Sequence, residues 1–203
     1  MELLASCCLL YTSQLAWTVI LAAASALAQT AAIDPALLAR ANGGDAAAQV
    51  LVGDGYAAGS GAERTPKQLA EDCQQAAAWY RKAAEQGDVA GQMRLAALYR
   101  DGKGVARDRS EAASWYRKAA EQGDVTAQAT LGLLYSIGQG VPHSDVEAYY
   151  WFDLAASVKG PKQEQYAANR QMIGARITAD ELAEVEERVA NWLAAHPRPA
   201  ATR

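Results

Sequence analysis

The chain has 203 residues, of which 51% are hydrophobic and 21% charged, and its formal net charge is −4. These values suit one globular domain and exclude a disordered chain, and an acidic balance with no stretch concentrating Lys or Arg argues against nucleic acid as a partner. The apolar content is mostly alanine with a single Phe, which favours close-packed helices over a β-sheet.

Residues 1–28 are predicted to be a secretory signal peptide. The uncharged apolar run LAWTVILAAASALAQ contains the letters ALA at 26–28, an A-x-A cleavage site, and is short for a membrane span. We therefore expect cleavage after Ala28, no stable membrane span in the mature chain, and a periplasmic or secreted location.

The first 13 residues allow two other interpretations. They lack the positive segment of a signal peptide, and CLLYTS within them is what a transposon end used in DNA library preparation encodes, so one alternative is a sequence artefact. The other is a lipobox, LASC, ending at Cys7. The lipobox stands before any apolar run, which disfavours it.

Cysteine content limits the covalent chemistry. Cys7 and Cys8 leave with the predicted signal peptide, so Cys73 remains alone and the mature chain cannot form an internal disulfide. We interpret Cys73 as a small buried or half-buried apolar group rather than a reactive thiol.

The middle of the chain contains an internal repeat. The residues WYRKAAEQGDV occur at 79–89 and again at 115–125, an offset of 36. A half-copy follows at Trp151, and a degenerate copy precedes at an offset of 43, whose seven extra residues we place in a loop, GAERTPKQLAED, at 61–72. A fixed period in the thirties indicates a stacked-repeat solenoid.

Each unit is predicted to contain two helices. Asp88 can cap VAGQMRLAALYR, which ends at the glycines of DGKG, and Asp108 can cap RSEAASWYRKAAEQ, which ends at Gly123. A capping-box pattern recurs at the repeat spacing in three pairs: Asp72 with Gln75, Asp108 with Glu111, and Ser144 with Glu147. Because different residue types take the same capping position at one fixed spacing, the repeat is a structural period and not merely copied sequence.

Apolar stripes predict how the units pack. Leu95 and Tyr99 share a face of the first helix, and Trp115 and Tyr116 share a face of the second, so the recurring aromatic residues are predicted to be core. One hairpin cannot bury its apolar face alone, so the hairpins must stack.

The predicted organisation continues to the C-terminus. A helix opening with a capping box of Thr178 and Glu181 has an acidic outer face suited to closing the stack. The predicted segments are a signal peptide at 1–28, a solenoid at 29–157 with units near 36–79, 80–115 and 116–157, a terminal helix and capping helix at 158–196, and a disordered tail at 197–203.

No catalytic, cofactor-binding or metal-binding residue is predicted. His143 lies in an inter-helix loop and His196 in the tail, so they do not suit a shared site. GDGYAAG at 53–59 contains G-x-G-x-x-A, but it falls in a predicted helix with no preceding strand, unlike a dinucleotide site. The glutamates of ELAEVEERVAN are interpreted as a solvated helix face.

The pattern A-x-W-Y-R-K-A-A-E-Q-G-D-V-x-x-Q-x-x-L-x-x-L-Y-x-x-G-x-G-V resembles the Sel-1-like repeat, a tetratricopeptide-related α/α hairpin. The resemblance covers about residues 36–157, and 149–192 resembles the terminal unit and closing helix of small bacterial members. It implies an all-α, right-handed α/α solenoid of stacked antiparallel helix hairpins with a C-terminal capping helix.

The resemblance also implies a function. The family is understood as a protein-interaction scaffold, and bacterial members are often exported. A cysteine-rich exported branch is linked to β-lactam binding or hydrolysis, so an envelope hydrolase acting on β-lactam or cell-wall substrates is the alternative. This chain lacks the paired cysteines of that branch, which disfavours the alternative.

We therefore expect a monomeric, non-catalytic scaffold or adaptor of the bacterial cell envelope that binds a protein or peptide in a concave groove. If the first helices line that groove, their positions outside the stripe are the candidates, because they differ between units where the stripe does not. The predicted partner-binding residues are Met93, Arg94, Ala97, Arg100, Thr130, Leu133 and Ser136, and the same spacing makes Ala129 outward.

Overall fold

The computed structural model describes residues 33–58 and 65–197, so the predicted signal peptide and residues 198–203 of the predicted tail lie outside the described residues. The described part forms nine helices and no strand. The helices are α1 Pro35–Asn42, α2 Ala46–Ala58, α3 Pro66–Glu85, α4 Val89–Asp101, α5 Arg109–Glu121, α6 Val125–Ile137, α7 Asp145–Ala156, α8 Gln163–Gly174 and α9 Ala179–Ala195. The prediction of an all-α chain of stacked helix hairpins is confirmed.

The helices pack as successive hairpins. The pairs α2–α3, α4–α5 and α6–α7 are the three units, and each second helix also packs against the first helix of the next unit. The α1 helix packs on α2 at one end, and α8 and α9 both pack on α7 at the other. The main core runs through all three units, from Val50 to Val189. Most of the recurring aromatic residues are buried in it or, for Trp79, in the smaller cluster beneath α1, as predicted, whereas Tyr99 is half-buried and packs against the main core.

The linkers between the two helices of a unit depend on glycine. Gly104 and Gly140 have positive φ angles of 69° and 77°. A Cβ at Gly104 would lie 2.1 Å from the carbonyl oxygen of Cys73, and one at Gly140 would lie 2.1 Å from that of Arg109. Each linker therefore rests on the second helix of the preceding unit at a distance that admits no side chain.

Two predicted caps form at the expected residues, but each makes only half of a capping box. Asp108 and Ser144 accept hydrogen bonds from the backbone N–H groups of Glu111 and Glu147. The reciprocal arm is absent because Glu111 Oε1 instead accepts from Trp115 Nε1 at 2.9 Å, and Glu147 Oε1 accepts from an arginine of α9 at 2.8 Å. The glutamates therefore connect side chains instead of closing the box.

The predicted cap at Asp72 with Gln75 is wrong, because α3 begins seven residues earlier. Thr65 caps the helix, Gln68 completes a capping box with it, and Pro66 occupies the first turn. Pro at this position and a complete box form a stronger start signal than Asp72. The segment predicted as a loop thus supplies about two extra turns of α3. We call residues 66–71, all of them exposed, the α3 arm.

A row of buried glutamines joins neighbouring units. Gln49, Gln92 and Gln128 each donate from Nε2 to a carbonyl near the end of the preceding second helix or of α1. The Oε1 atoms of Gln49 and Gln92 accept from Gln86 and Gln122 at 2.7 and 2.9 Å. The residue equivalent to Gln122 in the last unit is Val158, and Gln128 Oε1 is buried with no hydrogen-bond donor among the described residues. We call these three buried glutamines, together with the exposed Gln86 and Gln122, the glutamine ladder.

The α9 helix closes the C-terminal end of the stack. Val185 and Val189 are buried, and Arg188 contacts α7, where it binds Glu147 and lies over the Tyr150 ring at 4.6 Å. Its first turn has the complete capping box of Thr178 and Glu181 that the sequence predicts. Among the described helices, none is both long and apolar enough to cross a bilayer.

Candidate interaction surface

The exposed part of the first helices is the main candidate surface. We define the first-helix face as the exposed and half-exposed residues of α2, α4 and α6 outside their buried stripes. Its central residues are Leu51, Asp54, Met93, Arg94, Ala97, Arg100, Thr130, Leu133, Ser136 and Ile137. All seven predicted partner-binding residues belong to it.

Two of the outward assignments need adjustment. Ala129, which the spacing predicts to be outward, is buried against Ala155, Ala156 and Tyr166, because the end of α7 and the Tyr166 side chain of α8 cover that part of α6. Met93 is half-buried and packs partly against the main core. These positions therefore contribute to packing between helices, fully for Ala129 and partly for Met93.

Arg94 joins two units across the face. Its Nε lies 3.1 Å from Asp54 Oδ1, which also accepts a hydrogen bond from the Tyr80 hydroxyl at 2.7 Å. Burial raises the pKa of Tyr80 well above its ordinary value, and the hydrogen bond to Asp54 adds to the effect. The hydroxyl therefore stays protonated and donates, so Arg94 and Tyr80 share one carboxylate and tie α4 and α3 to α2.

Arg100 is held by its neighbours. Its Nε donates to Asp101 Oδ1 at 2.8 Å, and its Nη1 lies 3.4 Å from the Tyr116 hydroxyl. The hydrogen bond to Arg100 lowers the pKa of Asp101, and Arg107 Nε donates to the Arg100 carbonyl at 3.0 Å. Arg100 is therefore oriented toward the linker that follows α4.

Two apolar side chains stand out on α6. Leu133 is 51% exposed and Ile137 is 55% exposed, and a separation of four residues places them on one side of the helix. The equivalent residues of the preceding unit are Ala97 and Asp101, so the repeat does not require apolar residues here. Ile137 was not among the predicted residues, although its spacing from Leu133 is a signal the sequence contains.

The groups that could do chemistry are dispersed. His143 Nε2 lies 3.5 Å from Asp145 Oδ1 in the loop before α7, whereas His196 stacks on Trp192 at the end of α9. Cys73 is half-buried. Within 33–58 and 65–197, no group of three His, Cys, Asp or Glu residues could hold a metal ion. Residues 53–58 of the GDGYAAG segment lie in α2, on a helix as predicted, and Gly59 lies outside the described residues.

Comparison with known proteins decides the family. The model for the Sel1 repeat matches residues 46–88, 89–124 and 125–157, which together exceed half of the chain. The chain belongs to the Sel1 repeat family. These Sel1 units begin at the first helix of each hairpin, whereas the units near 36–79, 80–115 and 116–157 divide the same period at another point.

Two solved structures are similar to this Sel1 repeat protein. One is c5321, a protective antigen present in uropathogenic Escherichia coli strains displaying an SLR fold, with 27% identity over 80% of this chain and 43% of that chain and a TM-score of 0.56. The other is a Sel1 repeat protein from Oxalobacter formigenes, with 35% identity over 64% of this chain and 49% of that chain and a TM-score of 0.55. The chain spans less than half the length of either protein. No curated protein matched.

Membership in the Sel1 repeat family explains which features recur and which do not. The buried stripes, the linker glycines and the caps are the parts a stacked hairpin needs, and those of the second unit return in the third. The residues of the first-helix face change from one unit to the next. The variable part of this Sel1 repeat protein is thus its surface, where Leu51, Leu133 and Ile137 are large apolar side chains more than half exposed.

Proposed function

We propose that this chain is a non-catalytic protein-interaction scaffold or adaptor of the bacterial cell envelope, which binds a protein or peptide segment on the first-helix face. Sel1 repeat proteins are generally protein-interaction scaffolds. The observation that supports this face is the exposed pair of Leu133 and Ile137, because apolar side chains more than half exposed on adjacent turns are favourable contact points for a partner.

The envelope location rests on the sequence. The apolar run before residue 28 and its A-x-A site have the pattern of a secretory signal, and they lie outside the described residues. A periplasmic or secreted scaffold with one cysteine after cleavage needs no disulfide to fold, since its core is continuous through the three units. A hydrolase of the cysteine-rich type lacks such support, because its paired cysteines are missing.

Affinity capture tests the proposal. Residues 29–203 are immobilised and exposed to envelope extract, beside the variant Leu133→Ser and the matched control Leu69→Ser. Leu69 is 51% exposed, as Leu133 is, but lies on the α3 arm. We expect a protein retained by the unchanged chain and by Leu69→Ser and lost from Leu133→Ser. Equal retention by both variants would contradict the assigned face, and no retention by folded protein would contradict the scaffold function.

Reversing Arg94 is a poor test of binding. A carboxylate at that position would face Asp54 and remove the contact that joins α4 to α2. A loss of binding could then come from altered stacking of the units. Leu133 makes a better probe because it is exposed and its removal leaves no buried polar group unpaired.

A further inference from the structure

Contrary to the expectation that no stretch concentrates Lys or Arg, the linker between α4 and α5 carries a local positive charge that the repeat does not need. Residues 100–109 contain four cationic side chains and two carboxylates, a net charge of +2 in a chain whose total is −4. The equivalent segment 136–145 contains no Lys or Arg and one carboxylate, Asp145, yet it keeps the same glycines. Because both linkers have the same glycine-dependent geometry, the charges of the first are not required by the fold.

The two carboxylates of this linker are already used. Asp101 binds Arg100, and Asp108 Oδ1 accepts the backbone N–H of Glu111 as the cap of α5. Lys103 and Arg109 are exposed and form no ion pair within the part of the chain that the structure describes. Arg100 is therefore paired with Asp101, whereas Lys103 and Arg109 have no carboxylate of their own among the described residues.

A depression lies between the two linkers. It has a volume of about 530 Å³ and is lined by Arg107, Asp108, Arg109, Ser110 and Gly140. Gly140 lies against Arg109, so the second linker forms one wall of this basic depression.

The exposed apolar pair adjoins this wall. Ile137 precedes Gly140 by three residues, a separation that spans at most about 11 Å of chain. Leu133 lies about one turn before Ile137, on the same side of α6. A cationic depression and two exposed apolar side chains are thus neighbours on one edge of the solenoid.

We propose that this edge docks an acidic protein segment, in which carboxylates flank two apolar side chains. The apolar side chains contact Leu133 and Ile137, and the carboxylates approach Lys103, Arg107 and Arg109. Charge complementarity selects such a segment over neutral or basic ones and speeds its association. This inference rests on the proposed function and adds the chemistry of the partner.

A random 16-residue peptide library, displayed on phage and selected on the whole chain, tests the inference. The test variant is Lys103→Glu with Arg109→Glu, and its matched control is Lys159→Glu with Lys162→Glu, which makes the same charge change at two other exposed lysines. Glu at position 109 stands in the first turn of α5, where a negative charge is favourable, so the test variant is expected to fold.

We expect selected peptides to be rich in Asp and Glu beside Leu, Ile or Phe. Their affinity should fall roughly tenfold or more in the test variant and in Leu133→Ser, and little in the control variant and in Leu69→Ser. It should also weaken as salt is raised, because the charges are exposed.

Other outcomes overturn the inference in distinguishable ways. If the selected peptides bind the test variant as tightly as the unchanged chain, the basic edge is not their binding site, although the scaffold function still stands. No selected peptide on folded protein would count against both. Polyphosphate or phosphatidylglycerol vesicles that bind this edge in place of the peptides would assign the edge to a polyanion or to a lipid surface. Self-association that the test variant abolishes would assign it to a second copy of the chain.

Discussion

Replacing Gln122 by Val would copy into the middle of the stack the arrangement that the last unit already has. In the chain as it stands, Gln122 Nε2 donates to Gln92 Oε1 at 2.9 Å and to the Gly87 carbonyl at 3.0 Å. A Val side chain at this position, as at the equivalent Val158, has no hydrogen-bond donor to offer the neighbouring glutamine. The Oε1 atom of Gln92, a residue only 3% exposed, would lose its donor.

The expected cost follows from that unpaired oxygen. A buried acceptor left without a donor costs about 1–3 kcal/mol, and the transition temperature of a chain this size falls by roughly 2–4 °C for each kcal/mol. Gln122→Ala should cost less than Gln122→Val, because the smaller side chain lets water reach the oxygen. Comparing the free-energy costs of Gln122→Val and Gln122→Ala separates the effect of the lost hydrogen bond from the effect of lost side-chain contacts.

Urea unfolding followed by circular dichroism gives the free energies. The control is Gln165→Val on the exposed part of α8, for which we expect a change within about 0.5 kcal/mol. A double variant with Gln92→Leu completes a thermodynamic cycle. Because both polar partners are then gone, the double variant should be more stable than the sum of the single changes indicates.

Two results would refute this reasoning. One is a cost of Gln122→Val no larger than that of the exposed control. The other is simple additivity with Gln92→Leu, which would mean that the two glutamines do not interact. Either would show that the ladder is a geometric coincidence of similar units and that packing alone joins them.

Three further predictions concern the linkers, the capping helix and the N-terminus. Gly104→Ala would place a Cβ 2.1 Å from the Cys73 carbonyl in a left-handed conformation, so we expect urea unfolding to show a loss of about 2–4 kcal/mol, and a neutral effect would contradict the observed contact. Hydrogen bonds from Thr178 lower the pKa of Glu181, so its contribution is present above its usual value of 4.5 and lost as pH falls through the lower, folded pKa. The stability advantage of the chain over Glu181→Gln should therefore be greater at about pH 7 than at about pH 2.5, and a pH-independent difference would contradict the capping box. Expression in a bacterium with intact-mass measurement should show cleavage after Ala28, and a full-length product in the envelope would contradict the signal peptide.

The sequence predicts the architecture well because each rule acts over a few residues and is repeated. Asp88 and Asp108 cap their helices where expected, and the glycines that follow α4 end it as expected. The same letters return at the same spacing, so an error in one unit is corrected by another. Thr178 with Glu181 is equally local, and it forms as predicted.

The failures come from competition between partners that the sequence alone does not rank. Glu111 and Glu147 fit a capping box by their spacing. Their side-chain oxygens instead accept hydrogen bonds from the Trp115 indole and the Arg188 guanidinium. The outward position of Arg94 is correctly expected, yet its ion pair with Asp54 depends on how two units are stacked, forty residues apart in the chain. Contacts of that kind require the three-dimensional arrangement.

The α3 arm has a consequence for how such chains change in length. The seven residues by which α3 begins earlier than predicted turn the helix by about 700°, within roughly 20° of two whole revolutions, so each side of the arm continues the same side of the helix below it. Because the arm precedes the buried residues of the helix, a change in its length alters the exposed end and the direction in which the chain enters it, and leaves Trp79 and Tyr80 in the core. The arm therefore marks a point where helical segments of the right length can be grafted rigidly onto the solenoid without disturbing it.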